Sequence, residues 1–133
     1  MNRKMVAICG SFHKIEIERM LEFAIDESAK KMWEITEVVW VPGSMEAPLA
    51  LDRALQREDI EGAIVLGIIE KGQTDHGLVM GQSVTKSIID LQIKFGKPIG
   101  LGIIGPGAEP EHIEPRLEPH ARAAVGAVCA MIE

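Results

Sequence analysis

The sequence predicts an α/β fold: a flavodoxin-like, doubly wound parallel sheet of four strands in the order 2-1-3-4, with helices on both faces. Three observations predict it. Four short apolar or β-branched runs alternate with four segments of helical periodicity, giving the order βαβαβαβα. Turn residues close each run, at Gly10-Ser11, Pro42-Gly43, Gly72 and Gly105-Pro106-Gly107. Crossovers between parallel strands are right-handed, which leaves few topologies, and 2-1-3-4 is the simplest.

Lys4 to Cys9 is the first strand, apolar from Met5 onward and stopped at Gly10-Ser11. Ile15 to Met32 reads as a helix, because Ile17, Met20, Leu21, Ala24 and Ile25 share one face while Glu16, Glu18, Glu22 and Lys30 lie elsewhere. Glu34 to Val41 is β-branched and aromatic and stops at Pro42-Gly43, as a strand should. Glu46 to Gln56 is a shorter helix carrying Leu49, Arg53 and Leu55. Ala63 to Ile69 is an unbroken apolar run, the pattern of a strand buried on both faces. Gly77 to Phe95 is the long helix, ending near Gly96. Lys97-Pro98 leads into the fourth strand, Ile99 to Ile104, which Gly105-Pro106-Gly107 is expected to terminate. A last helix is expected from Pro119 or earlier to Ile132.

Composition narrows the function classes. A chain of 133 residues suggests one domain, 1–133, able to bury about two thirds of its unfolded surface. A net charge of −6 argues against a nucleic-acid partner or an anionic membrane. No run of 18 or more apolar residues is present to span a bilayer, and Met1 to Val6 enters a strand pattern without signal-peptide architecture. A cytoplasmic location is therefore expected. Cys9 and Cys129 sit in apolar patterns with neither metal-ligand nor redox spacing, so both read as buried thiols and no metal site is expected. Tyrosine is absent, so a ring that stacks on a ligand must come from Phe12, Phe23, Phe95, Trp33, Trp40 or a histidine.

The topology places ligands outside the carboxyl ends of the strands, near the switch point. Chemistry-capable residues gather there in the turns Gly10 to His13, Val41 to Glu46 and Gly72 to His76. Gly72-Gln73-Thr74-Asp75-His76 joins a strand to a helix N-terminus, whose unpaired N–H groups and partial positive charge attract phosphate. His76 reads either as a surface histidine of the first helical turn or as a proton-transfer group beside the anion. Phe12 reads either as a hydrophobic staple onto the first helix or as a stacking platform for a flat heterocycle. Glu46 either complements the helix dipole or accepts hydrogen bonds from a polyol or amine. Arg116 and Arg122 belong to a charged face or clamp a phosphate, and Lys71 is a further candidate for that anion. His13, His112 and His120 read as solvated or packing residues.

With these residues placed, the chain resembles the lumazine synthase family, particularly its short archaeal members. Val41-Pro42-Gly43-Ser44-Met45-Glu46-Ala47-Pro48 is similar to the family's V-P-G-[AV]-F-[ED]-[IM]-P. Gly67-Ile68-Ile69-Glu70-Lys71-Gly72-Gln73-Thr74-Asp75-His76 is similar to its G-x-V-I-x-G-x-T-x-H, in which the Thr-x-His element is the most specific part. Gly102-Ile103-Ile104-Gly105-Pro106-Gly107 is similar to the archaeal G-I-S-G-P-G. The resemblance runs ungapped from the second strand to the last helix.

The resemblance implies an enzyme that condenses 5-amino-6-ribitylamino-uracil with 3,4-dihydroxy-2-butanone 4-phosphate, giving 6,7-dimethyl-8-ribityllumazine for riboflavin biosynthesis, without metal or cofactor. Carried over by position, Phe12 stacks on the pyrimidine, Glu46 binds the ribityl chain, and Ser44, Met45, Ile68 and Ile69 complete the substrate contacts. Gly72, Gln73 and Thr74 hold the phosphate, Arg116 from a neighbouring subunit completes that site, and His76 moves protons. The resemblance also implies pentamers, or multiples of them, with the site at a subunit boundary. Two alternatives share the fold: an archaeal-type riboflavin synthase, and a non-catalytic flavin- or pterin-binding oligomer. Departures from the pattern are His13 where Asn often follows the Phe, Met45 for Phe, and Ile104 for the archaeal Ser. Pro110, Pro115 and Pro119 enter a region that family members make helical, which predicts a changed backbone around Arg116.

Overall fold

The computed structural model describes residues 2–132. Strands β1 (Arg3–Gly10), β2 (Trp33–Val41), β3 (Gly62–Glu70) and β4 (Ile99–Ala108) form one parallel sheet in the order β2-β1-β3-β4. Helices α1 (Lys14–Lys30) and α5 (Leu117–Ala130) cover one face. Helices α2 (Ala47–Leu55) and α3 (His76–Phe95) cover the other, and a short helix, α4 (Pro110–Ile113), precedes α5. This is the doubly wound, flavodoxin-like topology expected from the sequence.

The period-2 geometry of a strand divides each central strand between two cores. Met5, Ala7 and Cys9 of β1 join Ile64, Leu66 and Ile68 of β3 under α1 and α5. Val6 and Ile8 join Ala63, Val65 and Ile69 under α2 and α3. All are buried, which is why these runs carry no polar residue; each large aliphatic contributes about 1.5–3 kcal/mol. Burial pushes the Cys9 thiol up to about 12, so it packs as an apolar group.

On β4 the face toward α5 carries Gly100 and Gly102. A Cβ at Gly100 would stand 2.0 Å from the carbonyl oxygen of Ala124. The helix backbone therefore lies directly on the strand. Across the sheet, Lys97 Nζ donates to the carbonyls of Leu55 and Arg57, each at 2.8 Å, and satisfies the end of α2.

Four expectations are corrected. Gly105-Pro106-Gly107 does not end β4. Ile104 pairs with Ile68, and after the intervening residues Ala108 pairs with Glu70. Gly105 and Gly107 take φ values of +101° and +86°, where a Cβ is penalised, so the chain bulges out and returns to the ladder. The Lys71 N–H then donates to the Ala108 carbonyl at 2.8 Å. Pro106 in this bulge rests where a Cβ on Gly81 would stand, 2.8 Å from its Cγ, and so seats α3.

The three prolines do not break the segment before α5. Pro110 opens α4, Pro115 lies in the first turn of a 3-10 helix at Glu114–Arg116, and Pro119 is third in α5. The first N–H groups of a helix have no intrahelical partner, so proline costs little there. Helix α1 stops at Lys30 because Met32 adopts φ +62°, and β2 starts at Trp33. Helix α2 starts at Ala47, after a 3-10 turn at Ser44–Glu46.

Candidate active site

A cleft of about 550 Å³ opens at the carboxyl edge of the sheet. Its walls come from three turns and a helix start: Gly10, Phe12 and His13 after β1; Pro42 to Glu46 after β2; Gly67 to Glu70, Gly72 and Thr74 along and after β3; and His76, Gly77 and Met80 on α3. The strands β1 and β3 are neighbours whose crossovers leave to opposite faces, so the cleft sits at the switch point.

Of the site residues expected from the sequence, Phe12, Ser44, Met45, Glu46, Ile68, Ile69, Gly72, Thr74 and His76 line this cleft. Gln73 and Arg116 do not. Arg116 is exposed, and its Nη1 donates to the His112 carbonyl at 3.0 Å.

Phe12 is 77% exposed, which removes the hydrophobic-staple reading and leaves a ring presented to the cleft. It meets the His13 imidazole edge to face, with centroids 5.1 Å apart and planes at 80°. In the turn after β2, Ser44 Oγ lies 3.3 Å from where a Cβ on Gly67 would be, so the hydroxyl rests on the β3 backbone. Glu46 stands at the start of α2 without capping it. Its carboxylate is exposed on the cleft wall.

Behind β3, Thr74 Oγ1 accepts the backbone N–H of His76 at 3.3 Å. Asp75 at the N-cap makes no side-chain bond to α3, so beyond the His76 N–H the first amides of the helix have neither an intrahelical nor a capping partner. His76 and Gly77, which open α3, line the cleft with Gly72 and Thr74, and a helix start of this kind suits an anion. Lys71 lies 3.5 Å from Glu109, outside the cleft lining. Arg122 is not a phosphate clamp: it joins Asp26, Glu27 and Glu118 between α1 and α5. Those carboxylates, Asp26 foremost, raise its pKa.

Two cleft residues were not singled out from the sequence. His13 reads there as a solvated or packing residue, yet its Nε2 lies 3.0 Å from Oε1 of Glu70. Glu70 itself fills the position that the G-x-V-I-x-G-x-T-x-H pattern gives to Ile. That carboxylate in an apolar position was the available signal. His112 also gains a role, its Nδ1 accepting the Glu109 N–H at 3.0 Å at the start of α4. Among the described residues, no helix is long and apolar enough to cross a membrane.

Fold and cleft together define a doubly wound α/β protein with a small-molecule cleft at the carboxyl edge of its sheet. Comparison with known proteins specifies which. Residues 2–133 match the 6,7-dimethyl-8-ribityllumazine synthase family, and the chain belongs to that family. A 6,7-dimethyl-8-ribityllumazine synthase of Staphylothermus marinus is 43% identical over 113 residues, 85% of this chain and 75% of the relative. One from Metallosphaera sedula is 36% identical over 128 residues, 96% of this chain and 85% of that protein. One from Methanopyrus kandleri is 39% identical over 113 residues, 85% of this chain and 79% of that protein. The protein is accordingly an enzyme, a transferase of riboflavin biosynthesis.

Proposed function

We propose that the cleft joins 5-amino-6-ribitylamino-uracil to 3,4-dihydroxy-2-butanone 4-phosphate and releases 6,7-dimethyl-8-ribityllumazine, inorganic phosphate and water. The observation that carries this reading is one cleft, in a member of this family, lined by the Phe12 ring, the Glu46 carboxylate, the Gly72–Thr74 turn and the His76 imidazole.

Phe12 stacks on the pyrimidine, while Ser44, Met45, Ile68 and Ile69 bound the slot in which that ring lies. Glu46 accepts hydrogen bonds from the ribityl hydroxyls. The phosphate sits against the amides of Gly72, Gln73 and Thr74 at the uncapped start of α3. The 5-amine attacks the ketone and forms an imine with loss of water. Phosphate then leaves, and the ribitylamino nitrogen closes the second ring with loss of a second water. A helix terminus that stabilises the departing anion favours the elimination. His76, beside that anion, moves the protons these steps require, a contribution of about 10²–10⁴ in rate. Holding both partners in one cleft supplies orientation.

The protein self-associates in this reading, as a pentamer or a multiple of it, and a neighbour's Arg116 completes the phosphate site. Two features favour this. Arg116 lies outside the cleft of its own chain. Leu78, Ile89 and Ile93 project from one side of α3 as exposed apolar groups. We place the enzyme in the cytoplasm, where thiols such as Cys9 stay reduced.

The test is direct. Purified protein given both substrates is expected to raise the absorbance of the lumazine product well above the uncatalysed rate, and a rate equal to the uncatalysed one contradicts the assignment. Incubation with the lumazine alone separates the riboflavin synthase alternative, since riboflavin fluorescence would then appear.

A further inference from the structure

His13 and Glu70 are fifty-seven positions apart in the chain and meet in the cleft wall, with Nε2 3.0 Å from Oε1. The imidazole is 17% exposed and the carboxylate 51%. The nitrogen itself is buried, and the approach is too far off line for a hydrogen bond, so Nε2 has none. Both residues replace what the resembled pattern carries, Asn at the first position and Ile at the second. An imidazole and a carboxylate thus stand together at one point of contact.

Their anchorage differs. Glu70 ends β3, where its backbone pairs with Ala108 and the following amide donates to the Ala108 carbonyl at 2.8 Å. His13 lies in the turn before α1, and its carbonyl accepts the Ile17 N–H at 3.0 Å. Phe12 is 77% exposed, and its ring meets that of His13 edge to face. An exposed ring on a short turn has several rotamers open to it. An imidazole braced against a strand-held carboxylate removes some of that freedom before any ligand arrives, and preorganisation of this kind improves affinity.

The neighbouring charges are otherwise engaged or stand elsewhere in the cleft. Lys14 lies over the Trp40 ring at 5.2 Å, and Lys71 lies 3.5 Å from Glu109. Glu46 and His76 line the same cleft from the β2 turn and from α3.

We infer that His13 and Glu70 form one positioning unit that holds the Phe12 ring ready for the flat heterocycle. Neither takes part in bond making, which stays with His76. The identity of the heterocycle rests on the proposed function above; the coupling of the two side chains to the ring does not.

The experiment uses His13→Asn, Glu70→Ile and the double variant that carries both. Each single change leaves one member of the contact facing an unmatched neighbour, whereas the double change restores the pair of side chains that the resembled pattern carries. The probe is a ribitylamino-uracil with a nitro group in place of the reactive 5-amine, titrated by calorimetry. Each single variant is expected to bind it about three- to tenfold more weakly, with the double variant within about twofold of the unmodified protein. In turnover, KM for the pyrimidine should follow the same pattern, while kcat and KM for the phosphorylated butanone hold within about twofold. Equal affinity in all four proteins, or losses that add in the double variant, would overturn the inference. Lumazine formation without any difference among the variants also overturns it and leaves the proposed function standing. Variant-dependent binding without product does the reverse, and absence of binding to the unmodified protein overturns both.

Discussion

Thr74 Oγ1 accepts the backbone N–H of His76 at 3.3 Å, across the turn that joins β3 to α3. The bond ties the catalytic candidate to the anion turn and gives the Thr-x-His spacing a physical reason. A hydroxyl two residues earlier can satisfy an amide that the helix itself leaves unpaired. Thr74→Val should loosen this turn, lowering kcat/KM for the phosphorylated substrate about tenfold or more, while Thr74→Ser keeps most of it. Steady-state kinetics on both variants decides this, and a Thr74→Val enzyme with unchanged kcat/KM would remove the hydroxyl from the site.

Phe12 offers a clean separation of binding from stability. Its ring is 77% exposed, so Phe12→Ala should change unfolding free energy by no more than about 0.5 kcal/mol. A stacked base is worth about 1–3 kcal/mol, so the same change should weaken binding of the pyrimidine about five- to a hundredfold. Chemical denaturation and pyrimidine titration on one preparation test both halves. Loss of stability with intact binding would mean that the ring packs and does not stack.

Gly100 is required for the seat of α5. Because a Cβ there would lie 2.0 Å from the Ala124 carbonyl oxygen, Gly100→Ala must push a helix backbone away from the sheet. Such overpacking costs about 1–3 kcal/mol, occasionally more. A denaturation midpoint equal to that of the unmodified protein would contradict this packing.

Much of this was legible in the sequence. The four strands, their order and the cleft at the carboxyl edge follow from apolar runs, turn residues and crossover handedness. Boundaries were harder to read. Met32 adopts a left-handed φ without being glycine, so nothing marked the end of α1. Gly105-Pro106-Gly107 has the composition of a terminator, yet its positive φ values let β4 bulge and resume. Pro110, Pro115 and Pro119 predicted a changed backbone around Arg116, because their effect depends on position within a helix turn, which composition does not give. In the cleft, Glu46, Thr74 and His76 were visible as motif residues, and Phe12 as a ring in the turn after the first strand. The His13–Glu70 contact was hidden, because it joins a turn to a strand end far apart in the chain.

Paired surface carboxylates contribute to the acid sensitivity of the fold. Asp26, Asp52, Asp59 and Glu114 are held below the usual carboxylate range, chiefly by hydrogen bonds from Arg122, Lys94, Arg57 and Arg19 respectively. A pKa lower in the folded state gives stability that is present above the unfolded value and lost as pH falls through the folded one. The melting temperature should therefore drop as pH falls below about 4. Arg122→Gln should make that drop shallower, and added salt should weaken it further. A melting temperature that rises between pH 5 and pH 3 would contradict the sign.

A crystal structure of the protein with the nitro-substituted ribitylamino-uracil and inorganic phosphate puts the assignment of the cleft at greatest risk. The pyrimidine is expected against the Phe12 ring at about 3.5–4 Å, with phosphate within about 3 Å of the amides between Gly72 and Thr74. His76 should lie between the two ligands. Both ligands bound elsewhere, with the cleft between Phe12 and His76 filled only by solvent, would contradict it.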